Sequence, residues 1–410
     1  FHDILPGSSI TLVYDDARRD FAELERGIGA LIGSGDVPVN TTGFARSEII
    51  DGQMWDAEPF ATASRADSAD EVKLDGLTME NAHLRVTLSG DGRVESVQHK
   101  ASGRETLTGP GNRFELFDDH PVDFDAWDID PYTLQTRRDA QPAESWEVVT
   151  DTPLRAEIAF TGALGAASSV RQVVRLDAGS PRLEFHTTVD WHEEHTLFKV
   201  AFPLAVRSPN ATYEMPFGYA ERPTHYSSSF DRARYEVPGH RFADLSEHGF
   251  GAALLSESKY GFSCFEGDLK LTLLRAPKSP DPEADMGMHE FSYALLPHTG
   301  GWRDGCVLRE ATLFNSPLRW TTDGPASSFA AVDGQLVLDT IKRAEDSAAL
   351  VLRLYEPYGG RGESRITLAQ PFTSARRTNL LEEGGEAVMV EDGVIVVPYR
   401  PREVVTLVIE

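Results

Sequence analysis

Apolar and polar residues alternate in short runs along most of this chain, and one long stretch departs from that habit. From Tyr14 to Ile32, the apolar residues Ala17, Phe21, Leu24, Ile28 and Leu31 recur at helical spacing and predict one amphipathic helix. Asp15 and Asp16 suit its start, and Gly33-Ser34-Gly35 ends it. Everything beyond reads as β. Leu84 to Leu88, the turn Gly90-Asp91-Gly92 and Val94 to Val97 form a hairpin pattern. Further strand-like runs fall at Arg155–Phe160, Val170–Leu176, Arg182–Trp191, Phe198–Ala205, Gly251–Leu255, Leu269–Leu274 and Phe291–Leu296. A last group comprises Gln335–Asp339, Ala348–Tyr355, Ser364–Leu368, Ala387–Val390 and Val404–Ile409. Strands without intervening helices predict a mainly β protein of antiparallel sandwiches.

Composition shifts divide the pattern. Residues 57–70 are rich in Ala, Ser, Asp and Glu and read as a linker, and residues 323–328 read as a second joint. The predicted layout is a helical segment over 1–35, a short β linker domain over 36–69, a large β-sandwich over 70–322 and a smaller one over 325–410. A length of 410 residues fits two or three domains.

The net charge of −26 excludes a phosphate-binding surface, so neither nucleic acid nor an anionic membrane is an expected partner. A neutral sugar remains compatible with an acidic protein. No apolar run approaches the ~20 residues that span a bilayer. Only seven of the basic residues are Lys, a bias of the source rather than a binding signature. Two cysteines, Cys264 and Cys306, are no disulfide framework, and a reducing, cytoplasmic setting is expected.

Several constellations carry possible chemistry. The opening Phe1-His2-Asp3-Ile4-Leu5-Pro6-Gly7-Ser8-Ser9 offers an imidazole, a carboxylate and two hydroxyls in a loop before the helix. It reads as the last piece of an active site whose earlier pieces precede it. Residues 112–130 hold Asp125 and Asp128 around Trp127. One reading is a sugar contact, with the ring stacking on pyranose C–H bonds and carboxylates accepting from hydroxyls. The other is a loop whose Trp packs on the sandwich and whose Asp residues cap turns. The long polar loop around residues 215–251 offers Arg222, His225, Asp231 and Arg234 to a cleft or to a neighbouring domain, and the loop around Pro280–His289 offers Asp285 and His289. His192-Glu193-Glu194-His195 lies in a strand-like stretch, where side chains three apart point to opposite faces, so no shared metal is expected. Tyr355–Gly362 is glycine-rich but precedes no helix and reads as a bend.

The His2-Asp3 segment with its Leu-Pro-Gly-Ser-Ser continuation resembles the closing segment of the catalytic domain in family 38 glycoside hydrolases, the α-mannosidases. The strings Asp125-Ala126-Trp127-Asp128-Ile129-Asp130, residues 215–251 and Tyr355–Gly362 are similar to the microbial and cytosolic-type members. The segment between Asn40 and Ser64 is shorter than the family's. The resemblance implies a galactose mutarotase-like supersandwich and a retaining, zinc-assisted hydrolysis of α-mannosides. It implies that His2 is a zinc ligand, that Asp3 binds the sugar, and that Asp285, His289, Asp125 and Trp127 border the substrate. The nucleophile and the acid/base carboxylate are expected in a preceding catalytic domain, which would be this chain's partner together with a mannose-containing oligosaccharide. The alternative expectation is a non-catalytic module that binds carbohydrate or assists domain assembly.

Overall fold

The computed structural model describes residues 9–33, 35–68 and 70–410. His2 and Asp3 lie outside the described residues. The helix α1 spans Thr11–Ile32, three residues earlier than its apolar stripe predicts, and none of its residues is buried. Its apolar residues stand in solvent, with Phe21 64%, Leu24 59% and Leu31 89% exposed.

The chain divides into two compact units. The first runs to Ile28 and adds Ser68–Tyr213 and Glu221–Ala311. It contains a nine-stranded sheet with Ser145–Asp151 at one edge, followed in order by Arg155–Leu164, Ser168–Asp177, Leu183–Trp191, Gly287–Thr299 and Phe250–Ser256. A six-stranded sheet is centred on Arg113–Asp118, Thr196–Pro203 and Asp268–Leu274, and a five-stranded meander spans Lys73–Glu105. Among the described residues, the strands of these three sheets pair antiparallel.

Why these residues form these strands is clearest at Leu183–Trp191, where buried and half-buried positions alternate without a break. Its inward residues Leu183, Phe185, Val189 and Trp191 are fully buried. Phe185 stacks on Tyr293 at 5.0 Å and meets Phe202 at 5.6 Å, and Trp191 stacks on Phe198 at 5.8 Å. Each such side chain contributes about 1.5–3 kcal/mol by leaving water. The same core encloses a polar ring. Asn112 Nδ2 donates to Gln172 Oε1, Gln172 Nε2 donates to Tyr293 OH and Thr187 Oγ1, and Tyr293 OH donates to Asn112 Oδ1. Because each member is satisfied, the ring fixes register without the cost of an unpaired buried group.

The second unit comprises Gly29–Asp67, Glu214–Ala220 and Thr312–Glu410. Its four- and five-stranded sheets face each other across Leu352, Leu354, Ile366, Ile395, Val405 and Leu407. The protein is thus mainly β, with a large antiparallel sandwich and a smaller carboxy-terminal one.

Two expectations need correction. Val307–Asn315 is a helix, not part of a strand series. Val307, Leu308 and Ala311 bury one side of it, and Glu310 pairs with Arg182, the residue before strand Leu183–Trp191. His192–His195 is not in a strand. It turns between Leu183–Trp191 and Thr196–Pro203, where Glu193 accepts from Ala167 N and Ser168 Oγ.

Candidate functional site

The first unit gathers three segments around the end of strand Arg113–Asp118. As that strand leaves the sheet, Asp119 N donates to His195 O, and His195 N donates to Ala276 O. The His120 and His195 rings lie 4.5 Å apart. Arg275, just past strand Asp268–Leu274, reaches into the loop that follows Asp119. Its Nε donates to Asp119 Oδ2 at 2.7 Å, and its Nη atoms donate to the carbonyls of Asp125, Ala126 and Asp128 at 3.1, 3.3 and 2.7 Å. Burial pushes the Asp119 carboxyl up, and the Arg275 charge opposes that push.

Within the clamped loop, Trp127 N and Asp128 N both donate to Phe124 O and close a tight turn. Phe124 takes φ +55°, a left-handed backbone that a bulky residue seldom adopts. Its ring stacks on Trp127 at 5.3 Å and 22°, and 62% of the residue faces solvent.

Asp125 ties this loop to the next. Its Oδ2 accepts from Lys278 N at 2.6 Å and Ser279 N at 3.0 Å, and its Oδ1 lies 3.5 Å from His195 Nδ1. The Asp125 carboxylate therefore acts as a strut inside the protein. In the second loop, Asp281 Oδ1 accepts from Thr11 Oγ1 at 2.8 Å and from Glu283 N at 3.0 Å. The start of α1, which follows His2 and Asp3 in sequence, is thereby fixed beside Asp281. Asp285 also has a left-handed backbone, φ +60°, and His289 Nε2 donates to its carbonyl at 2.7 Å. Surrounding protein raises the Asp285 carboxyl above the usual range, against the opposing charges of His289 and Lys259. Burial lowers the Lys259 ammonium, whose Nζ sits 4.7 Å over the Phe291 ring.

Asp125 and Trp127 thus fall on one loop and Asp285 on a second, linked loop beside the start of α1, whereas His289, expected in that second loop, lies in strand Gly287–Thr299 opposite Val189. Residues 215–251, expected as one long polar loop, instead contain strands Gly218–Pro223 and Phe242–Glu247, and their polar residues serve the fold. Arg222 donates to Pro238 O and lies over the Tyr213 ring, and Asp231 closes a capping box with Ser228. Sequence reasoning missed Arg275 and Phe124. A single Arg at a strand end carries no local signal, and Phe124 looks like any core aromatic until its backbone is seen. A cavity of about 40 Å³ beside Asn112 and Gln172 has room for about one water and is too small for a sugar ring. Among the described residues, no group of three or more His, Cys, Asp or Glu side chains is placed to hold a metal. Nor is any described helix long and apolar enough to cross a membrane.

The fold alone does not define an activity, and comparison with known proteins supplies the class. Residues 79–283 match the family model for the glycosyl hydrolases family 38 C-terminal domain, and residues 335–407 match that for the family 38 C-terminal beta sandwich domain. The chain belongs to glycoside hydrolase family 38. It is 43% identical over 347 residues to the human protein named alpha-mannosidase 2C1, covering 81% of this chain and 33% of that protein. The mouse alpha-mannosidase 2C1 is 36% identical over all of this chain, which covers 44% of it. The chain thus spans less than half the length of these relatives. A solved structure of an alpha-mannosidase from Enterococcus faecalis shares the fold with a TM-score of 0.71 at 16% identity, over 92% of this chain and 49% of that one.

Proposed function

We propose that this chain is the carboxy-terminal part of a zinc-dependent, retaining α-mannosidase that removes terminal α-mannosyl residues from glycans or oligosaccharides. One observation carries this reading. Both C-terminal family 38 domains match in order, while the chain covers only 33% and 44% of relatives named alpha-mannosidase. Retaining hydrolysis uses a nucleophile and an acid/base carboxylate about 5–5.5 Å apart. In this reading both lie in a preceding catalytic domain, and the chain by itself is inactive.

The chain's own part is to shape one wall of the cleft. Thr11 and Asp281 fix the segment that follows His2 and Asp3. Asp125 and Arg275 brace the loop that carries Trp127, and Asp125 links it to the loop that carries Asp285 and leads into the strand of His289. Asp3 then holds the sugar in the first subsite, and His2 supplies one ligand to zinc. When bound, zinc would hold and polarise substrate hydroxyls. The described residues do not by themselves fit such an ion, since they offer no set of three ligands. Free Cys264 and Cys306 agree with a cytoplasmic location.

Elemental analysis with activity assays tests the reading. The intact protein is expected to carry one zinc per chain and to lose α-mannoside hydrolysis on chelation, and this chain alone to purify without stoichiometric metal. A zinc-free intact protein with full activity would remove the metal from the account. An intact protein that leaves α-mannosides uncleaved would overturn the whole reading.

A further inference from the structure

We propose that Phe124, backed by Trp127, is a stacking platform for a sugar ring of the substrate other than the one being cleaved. This inference rests on the α-mannosidase reading above and adds a specificity residue to it. Four observations on one loop support it. The Phe124 ring stacks on Trp127, and 62% of the residue is exposed. Its left-handed backbone is a costly conformation for an aromatic residue, and such strain persists where surrounding structure imposes it. That structure is visible: Arg275 holds the carbonyls of Asp125, Ala126 and Asp128, and Asp125 is pinned by Lys278 N and Ser279 N. The ring is therefore held rigid and outward, as a binding group must be to avoid an ordering cost on association.

The flanking charge selects the ligand. Asp123 and Asp128 are exposed on either side of Phe124 and Trp127, and neither carboxylate has a hydrogen-bond or ion-pair partner among the described residues. Covering this patch with another protein face would desolvate two unpaired carboxylates, which interface cores avoid. A neutral oligosaccharide meets both demands. Its C–H face stacks on the aromatic ring, and its hydroxyls donate charge-assisted hydrogen bonds to the carboxylates. The neighbouring loop that Asp125 pins is the one that Thr11 ties to the start of α1, so one hydrogen-bonded network joins the platform's loop to that helix end.

The test compares an α-linked mannotriose with an aryl α-mannoside in the intact protein. Phe124→Ala should lower kcat/KM for mannotriose relative to the aryl substrate by about five- to tenfold, the size of one aromatic contact, mainly through KM. Phe124→Tyr should restore the ratio. An unchanged ratio would overturn the platform, as would an equal loss on both substrates with a lowered melting temperature, the mark of a ring packed against another part of the protein. Saturation-transfer NMR of this chain with mannotriose supplies a readout independent of turnover. Contact that is lost in Phe124→Ala supports the platform even if the intact protein cleaves neither substrate, which would sink only the α-mannosidase reading. Contact unaffected by the substitution would overturn the platform even in an active enzyme.

Discussion

Arg275 holds Asp119 through two nitrogens on one oxygen: Nε and Nη2 lie 2.7 and 2.6 Å from Asp119 Oδ2. Both side chains are largely out of water, at 15% and 2% exposure. Removing one partner of such a pair leaves an uncompensated charge, which costs about 3–5 kcal/mol. Arg275→Ala should therefore lower the melting temperature of the first unit by several degrees and loosen the loop that carries Trp127. Adding Asp119→Ala should recover part of the loss, because the stranded carboxylate is then gone. Thermal melts followed by Trp fluorescence read both effects, and additive losses would show the pair to be uncoupled.

A second carboxylate organises the smaller sandwich. Glu356 is fully buried and accepts from Tyr358 N, Gly359 N and Arg402 N at 2.9, 2.8 and 2.9 Å. Glu356→Ala would leave three amides without partners, at a cost on the order of 3 kcal/mol. Denaturant unfolding should show the second unit losing stability, and Glu356→Gln losing less, since one amide oxygen still accepts.

Acid should destabilise the first unit from a defined side. Burial pushes the Glu115, Glu157 and Glu184 carboxyls up, yet Lys270 at Glu115, the Thr150 hydrogen bond and Arg175 at Glu157, and Arg182 at Glu184 hold each below its ordinary value of 4.5. A depressed folded pKa means that the unfolded chain binds protons first. The stability these groups contribute is complete above the unfolded value and is lost as pH falls through the folded values. Asp119 and Asp285, whose carboxyls are raised, work in the opposite direction and favour the fold in acid. Glu80 and Glu247 are held down as well, so depressed carboxyls prevail, and His99, lowered by burial from its ordinary 6.5, adds a loss as the unfolded chain takes up its proton. Melting temperature should therefore slip slightly below about pH 6.5 and fall more steeply through the carboxylate range. Glu115→Gln should make the acid limb shallower, and an unchanged limb would show that Glu115 contributes nothing to it.

The helix α1 has an apolar stripe but no buried residue. Local opening costs little where few apolar contacts form. Hydrogen exchange on this chain should find the α1 amides exchanging orders of magnitude faster than those of Leu183–Trp191. Equal protection would mean that α1 gains contacts in solution.

The strands were legible where one sheet face is wet. Alternation marks Leu183–Trp191 and the hairpin of Leu84–Leu88 with Val94–His99 within a residue or two. Where both faces are covered alternation is lost, yet a continuous apolar run still marks the strand, expected at Phe198–Ala205 and found at Thr196–Pro203. The sequence does not show that Lys199 is buried within it and reaches Glu236 and Ser263 from distant sequence. The helix Val307–Asn315 was missed because nine residues give too short a stripe to stand out among strands. At the candidate site, Asp125 and Trp127 stood out by their chemistry, and Asp285 and His289 through the family resemblance alone. The clamp by Arg275 and the outward turn of Phe124 could not be foreseen, since both depend on contacts some 150 residues apart in the chain.

The central claim is that catalysis needs carboxylates from a domain that precedes these residues. Hydrolysis of an aryl α-mannoside, measured side by side for this purified chain and for the same protein extended by its preceding sequence, tests it most directly. The account predicts turnover by the extended protein, with net retention at the anomeric carbon, and none by this chain. Turnover by this chain alone that disappears in Asp3→Ala would contradict it, because a complete site would then lie within these 410 residues.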